Sequence, residues 1–364
     1  MKCNLILSIM IVFLSMHTAA QPDAYLIRQR GSFSVLPAYQ WWSLDDSIKF
    51  SQASTPVSFY LPLSRALNVS IRGTPSRITG DLIALSGLTD TQIGLTYHWE
   101  GPELVFTLGL NVPTGKRELT PKEFQTSILS SNNIFDLQAS NYGQGFNINP
   151  GVMWAIPFGE SVVFGIAGSY QYRGKFKPIK DFDDYDPGDE YIAVGGIDIR
   201  LGETARISGD LLYTFFASDR LGSTDIFASG GKLVTTIQYE DAFGTNELSV
   251  FGRYRMKGKS EILRGGILTP ESDKIEPDQY DLRVTYSLII NRQILLGFTT
   301  QAKYYEKTAA SLSGITMFGV GIVPRISVNS SLDLISRIKF QYGKFNDNRQ
   351  LLGLEGGAGI VLSF

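Results

Sequence analysis

Tyr280-Asp281-Leu282-Arg283-Val284-Thr285-Tyr286-Ser287-Leu288-Ile289-Ile290-Asn291 is the stretch that decides the fold. Its even positions (Tyr280, Leu282, Val284, Tyr286, Leu288, Ile290) are apolar or aromatic, and its odd ones (Asp281, Arg283, Thr285, Ser287, Asn291) are polar, with Ile289 as the one break. Successive side chains of a strand point to opposite faces, so this segment has one greasy face and one wet face. The split recurs in Ser161 to Tyr172, where Val162, Phe164, Ile166, Tyr170 and Tyr172 oppose Ser161, Gly165, Ala167, Ser169 and Gln171. Ser331 to Tyr342 repeats it, with Leu332, Leu334, Ile338, Phe340 and Tyr342 against Asp333, Arg337, Lys339 and Gln341. Segments of about ten residues with this dyad pattern, one after another, are the signature of a transmembrane β-barrel.

Working outward, the first 20 residues carry Lys2, an apolar core from Leu5 to Leu14 and the small residues Thr18, Ala19 and Ala20. That order predicts a secretory signal peptide over 1–20 and a barrel over 21–364. Cys3 is the sole cysteine of the 364 residues and lies in the leader, so the mature chain is expected to have neither disulfides nor thiol chemistry. After the leader no apolar run approaches the roughly 20 residues of a spanning helix. Charge is near balance, 33 Lys and Arg against 35 Asp and Glu, which excludes an electrostatic binder of nucleic acid. The 17 Tyr, 22 Phe and 37 Gly favour strands and turns over helices.

Sixteen strands are predicted, near 33–43, 54–61, 66–73, 91–99, 102–113, 144–158, 160–173, 189–201, 204–216, 230–240, 246–257, 278–291, 293–305, 313–325, 330–342 and 351–364. Short turns such as Pro62 to Arg65, Glu100 to Gly101, Phe158 to Glu160 and Asn291 to Arg292 alternate with longer polar connections, notably Thr114 to Gly143, Gly174 to Gly188 and Gly258 to Pro277. Bacterial outer-membrane barrels combine an even strand number with short periplasmic turns and long external loops. The fold class read from this is all-β, a transmembrane antiparallel up-and-down barrel of 16 strands, with 14 as the next choice. Aromatics sort accordingly: Trp41, Tyr170, Tyr172, Tyr213, Phe215, Tyr254, Tyr280, Tyr304 and Tyr342 fall at expected outer strand ends, and Trp99, Trp154, Phe158, Tyr239 and Phe364 at inner ends. A soluble β-sandwich also explains alternation but needs no such belts.

Ala358, Ile360, Leu362 and Phe364 share one parity at the end of the chain. This resembles the C-terminal strand of outer-membrane proteins, where a terminal phenylalanine after alternating apolar residues is the barrel-assembly signal. A second resemblance runs through Leu61-Pro62-Leu63-Ser64-Arg65-Ala66-Leu67-Asn68-Val69-Ser70-Ile71, then Gly87-Leu88-Thr89-Asp90-Thr91-Gln92-Ile93-Gly94-Leu95-Thr96-Tyr97, then Leu108-Gly109-Leu110-Asn111-Val112-Pro113-Thr114-Gly115. That order is similar to the outer-membrane barrel family named for phenol meta-pathway degradation, itself similar in character to the long-chain fatty-acid transporters. The chain departs from the pattern at Lys116, where an acidic residue commonly follows Pro-Thr-Gly, and in a tighter turn at Ser64 and Arg65. The resemblance implies passive uptake of small hydrophobic or aromatic compounds.

By parity the lumen is wet and charged, with Arg253, Arg255, Asp281, Arg283, Asp333 and Arg337 among its inward side chains. Opposite charges on neighbouring strands can brace the wall, or Arg253, Arg255 and Arg283 can form a basic strip that steers anions. In Thr114 to Gly143, Thr120-Pro121-Lys122-Glu123 reads as a capping box with proline at the first helical position. The helix it starts places Phe124, Ile128 and Leu129 on one face, which either packs on the rim or dips into the mouth as a constriction. Asp181, Asp183, Asp184, Asp186, Asp189 and Glu190 form an acidic run whose order does not match a calcium loop, so a solvated external loop is expected. With His98 the one histidine after the leader, catalytic residues, metal ligands and cofactors are not expected.

The chain therefore reads as a channel in the outer membrane of a Gram-negative bacterium for small hydrophobic or aromatic compounds, and not as an enzyme. Alternatives are a general porin for small polar solutes and a structural or adhesive barrel. Expected partners are outer-membrane lipid and lipopolysaccharide, the barrel-assembly machinery through the C-terminal strand, and small hydrophobic solutes; nucleic acid is not.

Overall fold

The computed structural model describes residues 30–45, 47–99, 103–181 and 183–364. The leader expected over 1–20, Cys3 with it, and the turn expected at Glu100 and Gly101 lie outside the described residues.

The wall consists of sixteen antiparallel strands. They are β1 (Ser32–Val35 and Ala38–Leu44), β2 (Ile48–Ser54 and Val57–Pro62), β3 (Leu67–Gly73 and Pro75–Gly80), β4 (Leu85–Leu88 and Thr91–Trp99), β5 (Leu104–Val112), β6 (Asn147–Phe158), β7 (Val162–Arg173) and β8 (Glu190–Leu201). Then follow β9 (Ala205–Phe216), β10 (Lys232–Phe243), β11 (Asn246–Lys257), β12 (Gln279–Ile289), β13 (Ile294–Tyr305), β14 (Ile315–Asn329), β15 (Leu332–Phe345) and β16 (Gln350–Ser363). Each strand pairs with the next, and β1 pairs with β16 from Ser32 opposite Ser363 to Leu44 opposite Leu351. The sheet therefore closes on itself without a free edge, the one sheet form that leaves no backbone group unpaired in lipid.

Facing follows the alternation. On β12, Tyr280, Leu282 and Tyr286 are exposed on the outside while Asp281 and Ser287 are buried on the inside. The register carries the facing across strands: Asp281 lies opposite Arg253 on one side and Lys303 on the other, and Tyr280 lies opposite Tyr254 and Tyr304. Tyr254, Tyr280 and Tyr304 consequently form a continuous belt, with ring centroids 4.8 and 6.0 Å apart, at the end of the barrel that carries the long loops. At the turn end, Trp99 meets Phe106, Phe158 meets Phe164, and Phe59 stacks on the C-terminal Phe364. Two outward aromatic belts bound an apolar band, as in barrels that span a bilayer. Among the described residues no helix is long and apolar enough to cross a membrane.

Two features differ from the sequence reading. The connections do not alternate strictly between short and long, because β1 and β2 run on past the outer belt and join through residues 45–47, and β15 and β16 join through 346–349. The loops between β7 and β8, β9 and β10, and β11 and β12 also hold structure of their own. Tyr185–Asp186, Ser218–Leu221, Thr224–Ala228, Glu261–Arg264 and Ile267–Pro270 form a second, five-stranded sheet above the rim. Its last hairpin turns at Gly265 and Gly266, both with positive φ (60° and 89°), a conformation that glycine adopts without strain.

One part of the wall is locally weakened. β1, β2, β3 and β4 are all interrupted at the same level, at Leu36-Pro37, Thr55-Pro56, Thr74 and Thr89-Asp90. Pro37, Pro56 and Pro75 each lack the N–H that a ladder needs. The contacts that remain include Leu36 N–H to Pro56 O, Thr55 N–H to Pro75 O, Thr89 N–H to Thr74 O and Thr74 N–H to Thr89 Oγ1, each 3.0 Å. A cavity of about 720 Å³ lies at this seam, lined by Pro37, Ala38, Ser54, Pro75, Gly87 and Gly356 among others.

Candidate functional site

The connection between β5 and β6 does not stay outside the barrel. It begins with α1 (Pro121–Ser130), started as the sequence predicts: Glu123 N–H donates to Thr120 Oγ1 at 3.3 Å, and Thr120 N–H donates to Glu123 Oε2 at 3.0 Å. The Lys116 ammonium, 2.5 Å from Glu123 Oε1, ties the cap to the preceding loop. Burial alone would raise the Glu123 carboxyl, but the bonds from Lys116 and Thr120 hold it below its ordinary value. The helix rests on the rim through Thr126, whose hydroxyl donates to Ile83 O at 3.0 Å, and through buried Ser130.

After α1 the chain turns inward and fills part of the lumen. Ile134 and Phe135 are 0% and 1% exposed. The Phe135 ring meets the edges of Trp42 and Phe50 at centroid distances of 5.4 and 5.0 Å. The same cluster takes in Leu44, Ile78, Leu85, Tyr305, Ile315, Met317, Phe345 and Leu351, inner-face residues that extend over eight consecutive strands from β13 through β16 to β4. Gly353 makes room for it: a Cβ there would lie 2.4 Å from the Trp42 ring.

Polar clasps fix the inserted backbone. Gln52 on β2 donates from Nε2 to Ala139 O (2.8 Å) and accepts the Ala139 N–H at Oε1 (3.0 Å). Gln40 on β1 donates from Nε2 to Asp136 O and accepts the Gln138 N–H at Oε1, both at 2.9 Å. Two side-chain amides thus serve as strand partners for a segment that has none, which is how a buried backbone keeps its hydrogen bonds. Tyr305 O–H donates to Asn133 O at 2.9 Å. The Asp136 carboxylate bonds the Lys303 ammonium and lies 3.6 Å from that of Lys339. Burial would push the Asp136 carboxyl up, but the two ammonium groups overcome it and hold the carboxyl far below the usual carboxylate range. At the base, Asp90 accepts from Gly115 N–H (2.9 Å), Gln144 N–H (2.7 Å) and Asn111 Nδ2 (2.8 Å), joining both ends of the loop to one carboxylate.

Of the residues expected at a constriction, Phe124 and Leu129 pack partly buried against this cluster, while Ile128 is 57% exposed. Sequence reasoning missed Ile134, Phe135, Gln40 and Gln52. The apolar pair Ile134-Phe135 in a long polar loop was the available signal, since a loop of that length in a compact domain calls for a function or for structure of its own.

The opposite arc, β5 to β12, holds a small buried apolar cluster (Val105, Met153, Ala155 and Val163) on its first three strands and, beyond it, a polar wall in which the expected charges are paired. Arg253 lies 3.2 Å and Arg283 3.8 Å from Asp281. Arg255 lies 3.2 Å from Glu276, and Arg206 bonds Asp198. On the filled side Arg325 pairs with Asp333 and Arg337 with Glu355, both at 2.8 Å. The three arginines of the expected basic strip therefore each face a carboxylate. In the acidic run, Glu190 pairs with Arg173, Asp186 with Lys175 and Arg220, and Asp184 with Lys177, so protein cations take those oxygens. His98 is on the inner side of β4 at the turn end, its Nε2 buried without a hydrogen-bond partner in the structure.

No curated protein matches the sequence. Among solved structures, CdiB from Acinetobacter baumannii is similar at 9% identity over 92% of this chain and 60% of that one, with a TM-score of 0.50. The CymD monoaromatic hydrocarbon channel shares 9% identity over 94% of this chain and 90% of that one (TM-score 0.49). A triple mutant of the Rhodopseudomonas blastica porin shares 11% over 92% and 100% (TM-score 0.39). At 9% identity the likeness to CdiB is one of fold. Residues 32–234, more than half of the chain, match the family described as "Putative MetA-pathway of phenol degradation", and the chain belongs to that family.

Proposed function

We propose that the protein is a passive outer-membrane channel for small hydrophobic or aromatic compounds, its lumen narrowed by the segment between β5 and β6. The observation that carries this reading is the apolar cluster around Phe135, which fills part of the lumen along eight strands. A compound with an apolar body finds contact surface at Phe124, Ile128 and Leu129 on the rim, and the cavity at the proline seam offers a second apolar resting place. The family description, which names phenol degradation, points to the same solute class. In this reading the N-terminal leader exports the chain in a Gram-negative cell, the Phe364 strand addresses it to the barrel-assembly machinery, and lipopolysaccharide meets the outer belt. The charged arc favours a second reading, a general porin for small polar solutes, because a water-filled polar wall passes ions without regard to apolar bulk.

Refolded protein in proteoliposomes separates the two. The hydrophobic channel admits toluene or benzyl alcohol faster than arabinose, and Phe124→Ala with Ile128→Ala slows the aromatic solute alone. Equal rates for arabinose and benzyl alcohol, unchanged in the double variant, would establish the porin.

A further inference from the structure

Lys232 on β10 and Lys257 on β11 lie directly opposite each other on the inner face at the loop end. Both ammonium groups address one ring, Phe216 of β9: Lys257 Nζ is 4.1 Å and Lys232 Nζ 5.7 Å from its centroid. Like charges directly opposed across a ladder repel, and a ring face returns part of that cost by a cation–π contact. The nearby carboxylates are already engaged: Glu190, opposite Phe216, pairs with Arg173, Glu276 with Arg255 and Asp278 with Lys274. Lys257 is buried, 5% exposed, and its ammonium donates to the Ser229 hydroxyl. Neither lysine forms an ion pair with a carboxylate among the described residues.

We propose that this pair is an anion-binding site at the mouth of the lumen, and that its ligand is a small carboxylate on an apolar or aromatic body, such as a benzoate. Two ammonium groups with unused donors supply the charge-assisted bonds that a carboxylate takes. Phe216 supplies the apolar contact beside them. The inner-face position excludes the phosphates of lipopolysaccharide, which meet the outer wall. The assignment rests on the channel reading, refines its solute class, and moves the anion-selecting positive charge from the arginines to the lysines that sequence reading passed over.

The test is equilibrium binding to the folded, detergent-solubilised barrel, measured by calorimetry with sodium benzoate and with benzyl alcohol as the uncharged comparison. Benzoate binding should fall roughly tenfold or more in Lys232→Gln and in the double variant with Lys257→Gln, the size expected for losing a charge-assisted bond. Lys232→Arg should restore it, and Lys175→Gln, an equal charge change in an exposed loop, should leave it as in the parent. Lys232→Gln alone keeps the test valid if replacing buried Lys257 prevents folding, which the heat-dependent shift of the barrel on a gel reveals. Absent benzoate binding in the parent, or equal binding in Lys232→Gln, overturns the site. Binding as expected in a protein that passes no neutral aromatic into proteoliposomes would leave the site standing and remove the hydrophobic-channel reading.

Discussion

From β13 round to β4 the inner wall is covered by the chain's own loop, whereas from β5 to β12 it carries a small apolar cluster of Val105, Met153, Ala155 and Val163 on the first three strands and paired charges on β8, β9, β11 and β12. On the first arc the inner residues are Trp42, Phe50, Ile78, Leu85, Ile315, Met317 and Leu351, which need something apolar to bury against, and Ile134 and Phe135 supply it. On the second, Arg206 bonds Asp198, Arg253 pairs with Asp281, and Asp210 accepts from the Thr236 hydroxyl. The five-stranded outer sheet stands above this second arc, built from the loops that follow β7, β9 and β11. One alternating pattern thus specifies two interiors, because parity fixes which side chains face lipid and leaves the contents of the other face to the loops.

Cutting out residues 132–141 and bridging them with a Gly-Ser linker is the strongest challenge to this division. If the loop accounts for the narrow half of the lumen, single-channel conductance should rise several-fold and arabinose should enter freely. The barrel should persist, since the wall ladder closes without the loop. Conductance equal to that of the parent would mean the filled arc lies beside the conduction path and does not define it.

Asp136 asks what holds the loop down. Its carboxyl is depressed in the docked state, so the ion pair with Lys303 and Lys339 is fully present above the ordinary carboxylate pKa of about 4 and is lost as pH falls through the lower docked value. The conductance should therefore be flat from pH 7 to about 4 and rise below it in stronger acid. Asp136→Asn strands two ammonium groups, one of them nearly buried, and should destabilise the docked loop by about 3 to 5 kcal/mol, opening the channel at neutral pH. A channel that opens near pH 6 would assign the control to another group.

Facing toward lipid is a smaller matter energetically and sharpens the comparison from outside. Val284→Arg on the outer face of β12 should cost about 2 to 4 kcal/mol of stability in vesicles, the cost of a cation near the bilayer midplane. Arg283→Gln, one residue away on the inner face, should cost much less. Denaturant titrations that reversed this order would overturn the facing of β12.

Most of the wall was legible because a bilayer imposes one rule on every strand that crosses it. All sixteen strands overlap the segments that alternation marks, and the belt of Tyr254, Tyr280 and Tyr304 follows from the same parity. The outer parts of β2, β3 and β4 were not legible, and the reason is physical. Beyond the belt the outer face meets water and the inner face meets the loop, so the pattern inverts: Phe50, Ile78 and Leu85 point inward while Lys49, Arg77 and Ser86 point outward. Read with the membrane rule, those segments look like polar loops. Gln40 and Gln52 were invisible for another reason, since a glutamine that completes a distant backbone's hydrogen bonds carries no local mark. The capping box at Thr120 is the opposite case, a local device visible in four residues.

That local device provides the finest test of the comparison, because it separates how α1 starts from how the loop is held. Thr120→Ala removes the acceptor for the Glu123 N–H and should destabilise the helix by about 1 kcal/mol, the usual worth of such a cap. Lys116 and Glu123 still bond each other in this variant, so the helix loosens at its first turn without leaving the rim. Below it, the Gln40 and Gln52 clasps and the Phe135 cluster do not depend on the cap. Amide exchange should therefore quicken over 120–126 and stay slow over 134–142, with conductance as in the parent. If exchange quickened across both segments together, the helix and the inserted segment would be one cooperative unit, and the filled arc would owe its order to the rim as well as to the wall.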